Sequence, residues 1–343
     1  MIVNHKDGIR RVSFRRSSCL ILVMSALALI CSAAAQESQH VIVVVGASGT
    51  QEYGTQFEQW ADRWEAAARQ GDATFELFAG NGDSSDREAL KERLATTSIV
   101  KTSEPLWLVL IGHGTFDGRT ARFNLQGPDI TAAELKESLQ DSARPLAIIN
   151  CASCSSPFVN ALGGPDRTVV SSTKDGGEIQ FARFGDFLSQ AVSNLEADID
   201  RDGQTSLLEA WLFASRKTAE FYESEGRLAT EHALLDDSGD GKGTRSEVFE
   251  GTRIKDSVSN RDELDGRLAA RWHLVRSDGE KRLTPSQRQK RNALEDQLEI
   301  LRTKKKDLAE SEYLRQLETI LLPLAQIYES ADKNGANPPR KVN

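Results

Sequence analysis

The chain has 343 residues, of which 39% are hydrophobic and 27% charged, and its formal net charge is −8. This composition excludes a disordered chain and a membrane-embedded protein, and the length suffices for one large domain with an appendage or for two domains. The acidic balance argues against nucleic acid or an anionic membrane as a partner, because both carry negative charge.

Residues 1–35 have the composition of a secretory signal. Four arginines precede an apolar run at residues 19–31, and small residues follow it at 32–35. An uncleaved anchor is the alternative, but the apolar run is short and polar residues follow at once. We expect cleavage near Ala35 and an exported protein, periplasmic or extracellular, without membrane contact after signal removal. Cleavage leaves 38 Lys and Arg against 50 Asp and Glu, a net charge of −12.

Two apolar runs each end in a reactive side chain. Residues 106–111 are followed by His113, and residues 145–149 are followed by Cys151. Such runs predict strands buried on both faces, as in a parallel sheet. Because ligands and chemistry collect at the carboxyl ends of parallel strands, we expect His113 and Cys151 to meet in one crevice.

Strand and helix patterns alternate through the first half of the chain. This alternation predicts an α/β fold with a mostly parallel central sheet and helices on both faces. Further strands are predicted at residues 41–45, 74–78 and 168–173, and helices at 56–69, 85–96, 157–162, 187–195 and 207–222.

Residues 198–209 have the pattern of a calcium-binding loop between two predicted helices. Oxygen-bearing side chains occupy loop positions 1, 3, 5, 9 and 12, and a glycine occupies position 6, as a seven-oxygen calcium shell requires. An acidic turn that caps the second helix is the alternative. The candidate Ca²⁺ ligands are Asp198, Asp200, Asp202, Gln204, Ser206 and Glu209.

Residues 236–247 repeat this pattern less completely. The segment that enters the repeat, residues 229–235, is not clearly helical, so the sequence leaves a second calcium site open. Its candidate ligands are Asp236, Ser238, Asp240 and Glu247.

The end of the chain has a different character. Residues 251–283 form a connecting segment, and residues 284–330 predict a helical hairpin that begins at Thr284 with a proline in its first turn. Leucines at helical spacing would pack this hairpin on the main domain or on a second copy of the chain, which would make a homo-oligomer. Pro323 is expected to kink the second helix, and residues 331–343 are expected to be disordered.

The order and spacing of the two strand-end motifs resemble those of the caspase-like cysteine peptidases, in particular the legumain (asparaginyl endopeptidase) branch. Residues 111–118 are similar to the histidine motif of that branch, and residues 149–155 to its nucleophile motif. The resemblance implies a caspase-like three-layer sandwich over residues 40–195, and the acidic loops add an EF-hand-like segment over 196–250. It also implies an exported endopeptidase with a protein or peptide substrate.

The same resemblance assigns roles to individual residues. Cys151 takes the position of the nucleophile, His113 that of its base, and the N–H groups of Gly114 and Cys151 those of the oxyanion hole. Among the other histidines, His232 is the second candidate base.

Departures from the family motifs leave two further functions open. Asn150 stands where the family has alanine, Cys154 where it has glycine, and Ser48 where legumains have an asparagine. The first alternative is a catalytically inactive calcium-binding or scaffold protein in which Cys151 and Cys154 are disulfide-bonded. The second is a thiol-disulfide oxidoreductase, because Cys151 and Cys154 form a CxxC pair between a strand and a helix. Cys154 is thus an alternative nucleophile or a disulfide partner.

Overall fold

The computed structural model describes residues 38–255 and 265–335, and these residues belong to one compact unit. The predicted signal at residues 1–35 lies outside the described residues, as does the part of the predicted tail after residue 335.

The described residues form strands and helices in alternation. The strands are β1 (His40–Val45), β2 (Thr74–Phe78), β3 (Leu106–Ile111), β4 (Gly114–Phe116), β5 (Ala121–Phe123), β6 (Ile130–Thr131), β7 (Leu146–Asn150), β8 (Arg167–Ser171), β9 (Leu234–Asp236), β10 (Thr244–Arg245), β11 (Phe249–Glu250) and β12 (Arg253–Ile254). The helices are α1 (Gln51–Gln70), α2 (Asp86–Ser98), α3 (Ala132–Ser138), α4 (Ser156–Leu162), α5 (Phe184–Ala191), α6 (Leu207–Ser224), α7 (Asp278–Lys281), α8 (Pro285–Thr303) and α9 (Glu310–Gly335). Short 3₁₀ turns lie at Ser246–Val248, Ala269–Arg271 and Lys304–Lys306.

A seven-stranded sheet in the order β10-β9-β8-β7-β3-β1-β2 forms the centre. The five strands from β8 to β2 pair in parallel, and β9 and β10 extend the sheet in antiparallel fashion. The predicted α/β class with a mostly parallel central sheet and flanking helices is therefore confirmed. β4, β5 and β6 form a separate small antiparallel sheet directly after β3, which the sequence did not predict.

Side chains alternate between the two faces of the central sheet because successive residues of a strand point in opposite directions. In β3 all six residues are buried. Trp107, Val109 and Ile111 pack with α1, α5 and α6 on one face. Leu108 and Leu110 pack with α2, α3 and α4 on the other face. The sheet with its two helix layers is thus consistent with a three-layer sandwich.

Two helices begin earlier than their periodicity predicts. α1 starts at Gln51 because Thr50 accepts a hydrogen bond from the Tyr53 N–H as its cap. α5 runs three residues ahead of the prediction, and the Glu231 carboxylate accepts the N–H groups of Arg183 and Phe184 at its start. Glu231 lies far away in the sequence, so local patterns give no sign of this cap.

The terminal hairpin is present, with α8 and α9 packed through Leu301, Ile320 and Leu324. α9 continues past Pro323 to Gly335, so the prediction of disorder is wrong for residues 331–335. Ala331 is buried with Leu283, and this contact orders the last turns of the helix. No helix among the described residues is both long and apolar enough to cross a membrane.

His273 gives the fold a dependence on pH. The residue is 7% exposed, and burial lowers its pKa from 6.5 to about 4. The unfolded chain therefore binds a proton at His273 near pH 6.5, whereas the folded protein binds it only near pH 4. Stability from this group is complete above pH 6.5 and is lost as the pH falls through this window. The loss amounts to at most about 3 kcal/mol.

We expect His273→Asn to lose less stability than the wild type on acidification, because asparagine keeps a donor for the Arg271 carbonyl but does not titrate. Urea unfolding of both proteins at several pH values in this window measures the difference. Parallel stability profiles would show that His273 does not carry the effect.

Candidate functional site at the carboxyl edge of the sheet

His113 lies two residues beyond β3, on the sheet face that packs against α1. Its ring contacts Tyr53, Phe57 and Phe181 at centroid distances of 5.1, 5.4 and 6.0 Å. Its Nε2 lies 3.1 Å from the carbonyl oxygen of Ser48, to which an Nε2–H donates. The main chain at Ser48 therefore orients the ring, and Nδ1 keeps the lone pair that a base needs.

Cys151 directly follows β7 and points to the same face as His113. Its side chain is 1% exposed and belongs to the core. A Cβ atom added to Gly185 of α5 would lie 2.7 Å both from the Cys151 Cβ and from the Trp60 ring. Helix α5 thus lies directly against the cysteine, and only glycine permits this close approach.

The environment of Cys151 keeps its sulfur protonated. Burial, with a smaller contribution from the Glu231 carboxylate, raises the pKa of the thiol to about 12. The thiolate is the nucleophilic form, so at neutral pH this thiol is almost entirely in its unreactive, protonated form. Within the part of the chain that the structure describes, no hydrogen bond joins His113 to this thiol. The structure brings His113 and Cys151 to the same edge and the same face of the sheet, but it does not join them as an activated catalytic dyad.

The two N–H groups assigned to an oxyanion hole are both engaged. The Cys151 N–H donates to the Leu110 carbonyl at 2.9 Å, because the β3–β7 pairing continues one residue past the strand. The Gly114 N–H faces the hydroxyl of Ser153 at 3.4 Å. In this structure neither N–H is open to a developing oxyanion.

Cys154 is a second buried free thiol, with 2% exposure. Its φ of 53° lies in the left-handed region, and its N–H donates to the Glu178 carbonyl at 3.0 Å. Burial raises the pKa of the Cys154 thiol, although the N–H of Phe116 offsets part of the shift. Cys151 and Cys154 are not disulfide-bonded here. Two buried thiols with raised pKa values are the reverse of a redox-active CxxC pair, whose first thiol is acidic and accessible.

His232 belongs to a different site. Its Nδ1 lies 2.5 Å from the carboxylate of Glu178, and the residue lines a cavity of about 520 Å³ between α6 and the segment around β10. It therefore does not replace His113 beside Cys151.

Glu231 is a buried residue beside this site that the sequence patterns do not reveal. It is 2% exposed and accepts hydrogen bonds from the N–H groups of Arg183 and Phe184 and from the Tyr222 hydroxyl. It ties the start of α5 to the end of α6 and places a negative charge near Cys151. An isolated glutamate with no motif gives no sequence signal for this role.

The first acidic loop has the donor set for a calcium ion. Carboxylate oxygens of Asp198, Asp200 and Asp202 lie within 4.8 Å of one another. Burial, followed by repulsion from the neighbouring carboxylates of Glu209, Asp202 and Asp198, raises the pKa of Asp200 to about 6. Convergent hard oxygen donors that repel one another fit a divalent cation such as Ca²⁺.

Glu209 is already oriented toward this loop. One of its carboxylate oxygens accepts the N–H groups of Ile199 and Asp200, and the other accepts the N–H and hydroxyl of Ser206. Ser206 and Glu209 form a capping box at the start of α6, so the predicted acidic cap and the predicted calcium loop are the same element.

The second acidic loop shares the local scaffold but not the complete donor set. In both loops the N–H of the sixth residue donates to the first aspartate: Gly203 to Asp198 at 3.0 Å, and Gly241 to Asp236 at 2.9 Å. The second loop, however, joins strands β9 and β10 instead of two helices.

The remaining candidate ligands of this second loop do not converge. Asp240 accepts the Lys242 N–H, and Ser238 bonds Asp236. The twelfth residue, Glu247, forms an ion pair with Arg245. Of the residues that the structure describes, only the first loop brings three carboxylates together as a metal-binding group.

We expect both thiols to resist alkylation in the native protein, because neither sulfur is exposed or ionised. Iodoacetamide labelling at pH 8, followed by peptide mapping, should proceed at least roughly a hundredfold more slowly than in urea. Cys154→Ser serves as the control that assigns any signal to Cys151. Rapid native labelling of Cys151 would contradict the buried position.

The resemblance to the legumain branch rests on the two short motifs that end β3 and β7. No family model matches the chain, and no curated protein matches it. The function is therefore inferred from the geometry of the described residues.

Proposed function

We propose that the protein is a calcium-binding α/β protein of caspase-like architecture in which Cys151 does not act as a nucleophile. The convergence of the Asp198, Asp200 and Asp202 carboxylates ahead of Glu209 carries this proposal. It corresponds to the inactive alternative that the sequence left open, except that Cys151 and Cys154 are free thiols instead of a disulfide.

The calcium ligands would come from one loop. Asp198, Asp200 and Asp202 would supply carboxylate oxygens, Gln204 its backbone carbonyl, and Ser206 and Glu209 the last positions. Bound Ca²⁺ would neutralise the repulsion among these carboxylates. An exported protein would meet calcium at concentrations suited to extracellular sites, whose dissociation constants are about 10⁻⁴ to 10⁻³ M.

The chain's own contacts place this loop where it can stabilise the fold. It connects α5 to α6, and the side-chain carbonyl of Gln204 accepts the Ser277 N–H at 3.0 Å. The Leu207 N–H donates to the Trp272 carbonyl at 2.8 Å. Ordering the loop would therefore stabilise both the packing of α5 with α6 and the segment after residue 265.

The environment of Cys151 supports the non-catalytic part of the proposal. Peptide hydrolysis by a thiol needs an ionisable sulfur, a base in contact with it and free donors for the oxyanion. Here the sulfur has a raised pKa, the base donates to Ser48, and the Cys151 N–H belongs to the sheet.

An exported cysteine endopeptidase is the second candidate function. The shared face and strand edge of His113 and Cys151, with the ring oriented by Ser48, favour it. Activity would require α5 to move away from Cys151, so that a peptide carbonyl could reach the sulfur. The oxidoreductase function has no such support, since both thiols are buried.

We expect calcium to raise the unfolding free energy by about 2.7 kcal/mol at a concentration one hundred times the dissociation constant. Asp202→Asn should weaken binding by roughly tenfold or more, because it removes one of the converging charges. Asp240→Asn, at the equivalent position of the second loop, is the matched control and should bind as the wild type does. Calorimetric titration after EGTA treatment should give one calcium ion per chain. Two ions, or no binding, would contradict the assignment.

We expect no peptide hydrolysis beyond that of Cys151→Ala, with calcium or with EGTA, because the sulfur is neither ionised nor accessible. A quenched fluorescent peptide library measures the activity. Calcium-dependent cleavage that disappears in Cys151→Ala would instead establish the endopeptidase.

A further inference from the structure

A cleft of about 1050 Å³ lies at the edge of the sheet opposite the Cys151 site. Residues before or at the start of β3, β7 and β8 form one side, and the first turns of α8 form the other. It shares no residue with the calcium loop or with the His113 and Cys151 edge.

Cations dominate the lining of this cleft. Seven Lys and Arg side chains line it, against the carboxylates of Glu104, Asp166 and Glu280. From outside the lining, Asp296 pairs with Arg271 and Glu295 pairs with Arg291. When these two carboxylates are included, the seven cations still outnumber the five carboxylates. The chain as a whole has a net charge of −8, so the positive excess of this cleft is opposite in sign to the overall balance.

One buried carboxylate forms ion pairs with two guanidinium groups. Glu104, with a side chain only 3% exposed, forms ion pairs with Arg276 and with Arg288, the latter at 3.0 Å. One positive charge of this trio therefore remains uncompensated in the cleft. Burial, together with the nearby charge of Arg276, lowers the pKa of Arg288, as expected for crowded cations.

Two further cations have no carboxylate partner among the described residues. Arg167 donates to the backbone carbonyls of Leu162 and Leu139 at 3.2 and 2.8 Å, which fixes its guanidinium without neutralising it. Lys136, on α3, is exposed at the rim.

Helix α8 adds to the positive potential. Its N-terminus carries the positive end of the helix dipole, where acidic side chains are normally favourable. The first turn has no acidic residue, and Arg288 lies at its end. Ser286 and Gln289 of the same turns line the cleft. Placing a cation there costs stability that a bound anion would offset.

We propose that this cleft binds a small multivalent oxyanion, held by Arg288, Arg167 and Lys136 against the start of α8. The ligand carries two or more phosphate-type or carboxylate groups, because a single charge would leave part of the excess uncompensated. Planar guanidinium groups suit both oxyanion types through paired N–H donors.

The test is calorimetric titration of the full chain with inorganic tripolyphosphate or with citrate, at fixed ionic strength and after EGTA treatment. EGTA removes calcium that either anion would otherwise chelate. Ser286→Glu introduces a negative charge into the cleft at a helix position that favours acids, so the variant should fold. Lys136→Gln removes a rim cation. Lys290→Gln, on α8 but outside the cleft, is the matched control.

We expect tripolyphosphate to bind the wild type and the control equally, and Ser286→Glu to weaken binding by roughly tenfold. Lys136→Gln should weaken it by about threefold. Tighter binding of citrate than of tripolyphosphate would show that the anionic groups of the ligand are carboxylates and not phosphates. No binding of either anion overturns the proposal, and so does equal binding by all four proteins, which would place the anion elsewhere.

Discussion

The pairing of β3 with β7 fixes the geometry of the candidate site. In this register Leu110 pairs with Asn150, so the next N–H along β7, that of Cys151, continues the ladder. Because side chains alternate, the same register sends Cys151 and His113 to one face, beneath α1 and α5. The constraint that brings the two residues to the same edge also engages the N–H that a peptidase would need.

Helix α5 connects this edge to the calcium loop. Its first residues are held by Glu231 and packed on Cys151, and its last residues lead into the loop of Asp198 and Glu209. The loop, the helix and the cysteine therefore form one continuous structural unit. A single short helix separates the loop from Cys151, whereas the cation-lined cleft lies at the opposite edge of the sheet.

Much of the fold follows from local sequence. Runs of consecutive apolar residues specified strands with two buried faces, and residue pairs such as Ser206 and Glu209 specified a helix start by satisfying each other's hydrogen bonds. Where a distant residue supplied the cap, as Glu231 does for α5, the predicted boundary was displaced. The β9–β10 extension also depends on a distant partner, because β9 pairs with β8. The small β4–β6 sheet joins neighbouring segments, but its strands of two or three residues are too short to give a sequence pattern.

The sequence by itself determined the α/β class, the order of the two reactive strand ends and the acidic loop, because each depends on spacing within a short segment. Only the tertiary structure decided the environment of Cys151. Its burial against Trp60 and Gly185, and the separate hydrogen bond of His113 to Ser48, come from segments brought together by packing. Side-chain ionisation and access depend on these neighbours, so spacing alone could identify the reactive pair but not its chemical state.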